Sequence, residues 1–207
     1  QVSLCMELGL YKEKLLAHYS FKNSSSRSHN ALVQLAVLMI NLSPSQFSSN
    51  MNSLALSRIE NQFLENFVHN YPRIEDLMNS GTSLTPLEIH DYYAETRNAG
   101  MDLVIAALAE YAARIGSEFS QMDWLVKLKI SRELLKAWFD RPEWIHPVPL
   151  LNGDDIMASF NKQEGPLIGE LLEGLKSAQL SGEVTTIWEA KEWVASNLAT
   201  RNLIHED

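Results

Sequence analysis

Apolar residues recur every three to four positions along nearly the whole of this 207-residue chain, and no stretch alternates strictly between apolar and polar residues. That spacing places side chains on one face of a helix and cannot line one face of a strand, so the chain is read as all-α. With 45% hydrophobic residues it can bury a core large enough for one large or two small domains. The longest uncharged apolar stretch, Ala31 to Leu42, is interrupted by Gln34 and Asn41. It falls well short of the roughly 20 residues that a bilayer span needs, so no membrane helix is expected. The opening Gln1-Val2-Ser3-Leu4 has neither a basic leader nor a small-residue cleavage pattern, and reads as a cut from something longer rather than a signal peptide. Cys5, the lone cysteine, has no second thiol to pair with; it is read as a buried small residue in a reducing, cytoplasmic setting.

The periodicity predicts a first helix over about Leu4 to Tyr19, a polar break at Asn23 to Ser28, and an apolar helix over Ala31 to Leu42. Ser43-Pro44-Ser45-Gln46 has the order of a capping box, with a hydroxyl, a proline at the first helical position and an amide at the third. Leu56, Ile59, Phe63 and Phe67 form an inward stripe on a helix that Tyr71-Pro72 is expected to end. Thr85-Pro86-Leu87-Glu88 opens a helix to about Arg97, and Gly100 separates it from an Ala-rich helix ending near Ile115. A helix over Gln121 to Phe139 follows, after which Pro142, Pro147 and Pro149 disfavour helix and mark a boundary. Beyond it, Asn152 caps a short helix to Phe160 and Gly165-Pro166 opens another. That second helix turns Leu167, Ile168, Leu171, Leu172, Leu175 and Ala178 inward. Thr186-Ile187-Trp188-Glu189 caps a last helix with Ile187, Ala190, Val194 and Leu198 inward. The expected architecture is a multi-helix, bundle-like body over residues 1–147 and a small three-helix tail over 148–207.

A net charge of −9 opposes strong autonomous binding to phosphate backbones. The imbalance is uneven: only residues 123–150 hold more basic than acidic side chains, 5 against 4. There Lys129, Arg132 and Lys136 stand three and four residues apart and form one basic stripe near Trp138, able to track phosphates, or else a solvated charged face. Lys162, with Gly165 and Gly169 at the following helix start, lies where free backbone N–H groups favour an anion. The ordinary alternative is a plain helix start with close packing at Gly169. Gly153-Asp154-Asp155 suits capping and the helix dipole rather than a polymerase hairpin. His90-Asp91 reads as a surface pair, and the six histidines show no metal-ligand spacing, so no metal site is assigned. No catalytic residue is assigned either, since neither a Ser-His-Asp nor a Cys-His arrangement can be argued. The five tryptophans, Trp124, Trp138, Trp144, Trp188 and Trp193, are read as core or tail-packing groups.

The segment Pro149 to Val194 strings together Leu150-Leu151-Asn152-Gly153-Asp154-Asp155-Ile156-Met157, Gly165-Pro166-Leu167-Ile168-Gly169-Glu170-Leu171-Leu172, Ala178-Gln179-Leu180-Ser181-Gly182-Glu183-Val184 and a Thr-capped final helix. In that order these motifs resemble the C-terminal tail of bacterial CCA-adding tRNA nucleotidyltransferases and related poly(A) polymerases. Upstream, Leu35 to Pro44 is similar to the helix that carries a His-Asp pair in the HD-type domain of some members, with Ile40 and Asn41 at the pair's positions. An alkyl group and an amide lack the donors that a cation favours there, so a degenerate HD-like body is implied. The family's catalytic head holds metal ions and nucleoside triphosphate on paired aspartates of a sheet; this chain has no Asp-x-Asp pair.

The resemblance thus implies an RNA-positioning body and tail, with tRNA or another structured RNA as partner. It implies a nucleotidyltransferase head in the same polypeptide that uses Mg and nucleoside triphosphate. The chain alone is not expected to polymerise. Two other readings stay open: a structural or homodimer-forming helical domain, which the acidic charge favours, and an inactive relative of metal-dependent HD-type phosphohydrolases.

Overall fold

The computed structural model describes residues 8–20, 27–113 and 120–204, and among these every regular element is helical, as the periodicity predicts. A 3₁₀ turn, Gly9–Tyr11, leads into α1 (Lys12–Ser20), followed by α2 (His29–Met39), α3 (Pro44–Ser53), α4 (Arg58–Ser80) and α5 (Pro86–Thr96). A second 3₁₀ turn, Arg97–Ala99, joins α5 to α6 (Gly100–Ala113), and α7 (Gln121–Asp140) closes the longer helices of this part. Next come α8 (Pro142–Ile145), α9 (Gly153–Phe160), α10 (Pro166–Ser181) and α11 (Ile187–Ile204). The chain separates into two compact units, Gln1–Leu84 with Asp91–Asp140, and Thr85–His90 with Arg141–Asp207.

The helix starts form where local chemistry satisfies their free N–H groups. Ser43, Ser57 and Asn152 each accept from the backbone three residues on, while Gln46, Glu60 and Asp155 reach back to the cap's own N–H. Thr85 with Glu88, and Thr186 with Glu189, make the same reciprocal bonds. Asn152-Gly153-Asp154-Asp155 is thereby a helix cap. Gly81 and Gly182 end α4 and α10 at φ of 70° and 81°, where a side chain would be strained.

Two expectations fail for tertiary reasons, and a third is met only in part for a local one. Pro72 does not end its helix: α4 runs through it to Ser80 because Tyr71, Ile74, Leu77 and Met78 are all buried, and that packing outweighs one lost hydrogen bond. Ile59 and Ile187, placed inward by spacing, are 65% and 56% exposed, since each sits in the first turn of its helix, outside the packed stripe. The prolines after α7 disfavour helix through residues 146–152, as expected, but Pro142 itself opens the four-residue α8, where its missing N–H costs nothing. The predicted starts of the first helix and of the serine break, the helix end near Ile115, and Cys5 lie outside the described residues.

In the first unit α6 is buried at every position from Gly100 to Leu108, and α2, α4 and α7 pack around it. A helix apolar on all sides needs such a surround. The turn that delivers it is tied by side chains. Tyr92 donates to the Gly100 carbonyl at 2.7 Å, Thr96 Oγ1 to the Tyr92 carbonyl at 2.6 Å, and Asn66 Nδ2 to the Thr96 carbonyl at 2.7 Å. Tyr11 donates to Asp140 at 2.7 Å, and Lys14 pairs with the same carboxylate at 2.9 Å, which fastens the chain around α1 to the end of α7. Burial and the Asp140 bond push the Tyr11 hydroxyl up to about 12. In the second unit α10 packs on both α9 and α11. Their core holds Ile156, Ile168, Leu171, Leu175, Ala178, Val184, Ala190, Val194 and Leu198.

Two consequences can be measured. A Cβ on Gly100 would lie 2.6 Å from Thr96 Oγ1 and 2.7 Å from the Tyr93 ring, both on buried residues. Gly100→Ala is expected to cost about 1–3 kcal/mol by overpacking, read from urea unfolding, despite alanine's higher helix propensity. Glu60 is buried; backbone donation from Ser57 outweighs the cost of burial and, helped by Arg27, holds its carboxyl below 4.5. A lowered carboxyl stabilises the fold fully above the unfolded value and loses that contribution as pH falls through the folded one. Unfolding free energies measured from pH 6 downward are therefore expected to drop more steeply below about pH 4.5 for the native chain than for Glu60→Gln.

Candidate functional site

Three helices of the first unit meet at a group of titratable side chains that no local pattern announces. His18 lies in the last turn of α1, His29 is the first residue of α2, and Asp102 stands in the first turn of α6. Ser28 caps α2 by accepting from Ala31, which sets His29 at the helix start. Asp102 reaches the same point because α6 begins at Gly100, directly after the tied 3₁₀ turn.

His18 Nε2 and His29 Nε2 lie 3.0 Å apart. Each also meets the Asp102 carboxylate, His18 at 3.2 Å and His29 at 2.9 Å. The carboxylate side chain has no exposure, His29 keeps 12% and His18 27%. Burial pushes the Asp102 carboxyl up, but the hydrogen bonds and charges of His18 and His29 outweigh it and hold the group below its ordinary value. The rings are themselves packed: His29 stands edge-on to His18 at 4.6 Å and to Phe63 at 5.4 Å. A cavity of about 270 Å³, lined by His18, His29, Leu32, Ile59, Phe63, Asn98 and Trp138, opens beside the two imidazoles.

Among the described residues this is the one set of three His, Cys, Asp or Glu ligand atoms close enough to share an ion, all within 4.8 Å of one another. A wider groove of about 1020 Å³, lined in part by Phe47, Asn66, His69, Glu95 and Arg97, brings no such trio together. Spacing along the chain could not show the site, since 11 residues separate His18 from His29 and 73 separate His29 from Asp102. A usable sign was present: Asp102 is the one charged residue in the otherwise apolar run from Gly100 to Ala109. A buried carboxylate needs a partner. Ile40 caps the C-terminus of α2, with Asn41 exposed after it. His90 donates through Nδ1 to the Ile145 carbonyl at 3.1 Å, and Asp91 is exposed, so that dipeptide is a surface pair.

The RNA-contact candidates fall in both units. Lys129, Arg132 and Lys136 are all exposed on α7, between the buried positions Leu128, Ile130, Ser131, Leu134, Leu135 and Ala137. Trp138 is half-buried, its ring tilted against Tyr93 at 5.3 Å. In the second unit Lys162 is half-buried after the left-handed Asn161, while Gly165 and Gly169 are exposed. A Cβ at either glycine would meet nothing within 4 Å, so close packing does not explain Gly169. Nor is every tryptophan a packing group. Trp193 meets Gly174, where an added Cβ would come within 2.6 Å of the ring, whereas Trp188 is 66% exposed.

No family model matches the chain, and no solved structure matches it. It is similar to the A-adding tRNA nucleotidyltransferase of Deinococcus radiodurans, with 33% identity over 93 residues. The matched stretch covers 45% of this chain and 21% of the relative's length, so the chain spans only a small part of that protein. No helix among the described residues is long and apolar enough to cross a membrane. This sequence similarity supports a relation to the tRNA nucleotidyltransferases.

Proposed function

We propose that these helices are the RNA-positioning part of a tRNA nucleotidyltransferase-like protein, with nucleotide addition to a tRNA-type 3′ end carried out by a separate head. The observation that carries this reading is the similarity to the A-adding enzyme. In this reading residues 1–147 are an HD-like body without the His-Asp pair at Ile40 and Asn41, and residues 148–207 are the tail. The head, in the same polypeptide, would hold Mg and nucleoside triphosphate. The helices would contribute register, lowering the barrier by holding the acceptor end where reaction occurs.

RNA contact is assigned to the exposed cations of α7, Lys129, Arg132 and Lys136, which point away from the buried face of their helix. In the second unit Lys162 and the open backbone at Gly165 and Gly169 are assigned the same task. Cations spaced along a helix track a phosphate strand, whereas side chains reach the bases of a structured RNA poorly, so shape and backbone are what such a surface reads. The acidic remainder, net −9, keeps this binding weak in isolation.

Titrating the chain with unmodified tRNA at 50 and 200 mM salt, by fluorescence anisotropy, tests the assignment. Binding is expected at low salt and should weaken at high salt. The Lys129→Ala/Arg132→Ala/Lys136→Ala triple variant should bind more weakly, and its salt dependence should be shallower by about one unit of slope for each phosphate it no longer neutralises. Absence of binding at 50 mM salt would overturn the RNA reading and favour a helical interface between protein chains, the role to which the acidic surface is suited.

A further inference from the structure

The geometry points to a divalent transition-metal site in the first unit, formed by His18 Nε2, His29 Nε2 and the Asp102 carboxylate, with open coordination positions facing the adjoining cavity. Neither the RNA reading nor the position of the implied His-Asp pair leads to it: the three residues lie on α1, α2 and α6, apart from Ile40 and Asn41.

A neutral imidazole carries one N–H, and its other nitrogen accepts. If both Nε2 atoms carry hydrogen and donate to Asp102, two N–H groups face each other across 3.0 Å, which is repulsive. If only one does, the other Nε2 is a bare lone pair directed toward a buried anion. A cation among the three atoms removes both conflicts, because every lone pair then points at positive charge. It also compensates the carboxylate, whose side chain has no exposure to water.

Size agrees with this. Ligand atoms bonded at about 2.1 Å and adjacent in an octahedral complex lie about 3 Å apart, and those of a tetrahedral one about 3.4 Å. The two Nε2 atoms are 3.0 Å apart; Asp102 meets them with both oxygens, Oδ1 at 3.2 Å from His18 and Oδ2 at 2.9 Å from His29, so the nitrogen pair has the adjacent-ligand spacing and either oxygen can complete the set. The donor types select the ion. Two imidazoles and one carboxylate suit Zn²⁺, Mn²⁺, Fe²⁺ or Co²⁺, while Mg²⁺ and Ca²⁺ favour all-oxygen surroundings. Three protein ligands leave at least one position free, the pattern of a site that takes water or an oxygen-bearing ligand rather than a closed structural one. The cavity of about 270 Å³ supplies the route and the room, and its lining of Leu32, Ile59, Phe63 and Trp138 around the polar Asn98 limits bulk water at the ion.

The experiment uses the 207-residue chain, stripped with chelator, then dialysed separately against Zn²⁺, Mn²⁺ and Co²⁺, with bound metal measured by plasma mass spectrometry. One ion per chain is expected for at least one of these. The Co²⁺ form should show a visible absorption band in the range of nitrogen and oxygen ligation. His18→Ala removes the ligand nearest solvent and should leave the helical circular-dichroism spectrum unchanged while weakening binding by about tenfold or more. Asp102→Asn removes the anion and, where it folds, should do the same. Failure of all three ions to bind above the level of the His18→Ala chain, or equal occupancy in both, overturns the site.

Discussion

One buried carboxylate organises the first unit. α6 is enclosed on all sides, and at its first turn it carries Asp102 into an interior where an unpartnered charge is not tolerated. The compensation comes from two helices distant in sequence, so the ends of α1 and α2 are brought to that point together with their imidazoles. The helix dipole adds to it, since the free N–H groups of α6 favour an anion in its first turn. Without this convergence α1 would be held mainly by Leu15, which is fully buried, and by the Tyr11 and Lys14 contacts to Asp140 at its other end.

The surroundings of that point are fixed by a second set of buried polar bonds. Tyr92, Thr96 and Asn66 donate to the Gly100, Tyr92 and Thr96 carbonyls on either side of the α5 to α6 turn, where Gly100 lies so close to Tyr93 and Thr96 that an added Cβ would force a shift. The register of α6, and with it the direction of Asp102, therefore follows from a turn that tolerates little variation. A rigid support of this kind is what a site needs if its ligand atoms are to stay within a few tenths of an ångström of a useful geometry. The second unit has an apolar three-helix core, and its polar interactions cap helices and, through Gln179, tie the Val148 to Leu150 segment to α10.

Much of the helical organisation was legible because helix starts are local chemistry. Ser43 with Gln46, Thr85 with Glu88, Asn152 with Asp155 and Thr186 with Glu189 are separated by three residues each, and their reciprocal bonds need nothing from the rest of the chain. Legibility fails where distant packing decides. Pro72 continues a helix because its neighbours are buried, and Ile59 and Ile187 stay outside because the core lies one turn further along. The exposure of Lys129, Arg132 and Lys136 followed from spacing alone, whereas the capture of Trp138 by Tyr93 did not.

The His18, His29 and Asp102 group is the extreme case, since none of its members forms a pattern with its own neighbours. The His-Asp dipeptide of the chain, His90-Asp91, has one half-buried and one exposed member, and its imidazole is occupied by a backbone carbonyl. The more informative question is energetic: which charged residue sits in a segment too apolar to leave it in water. Asp102 is that residue, and its partners are histidines that tertiary packing brings near. Chemistry of this sort is distributed over a fold, so an imidazole at the end of one helix and another at the start of the next carry meaning only relative to the buried anion they share.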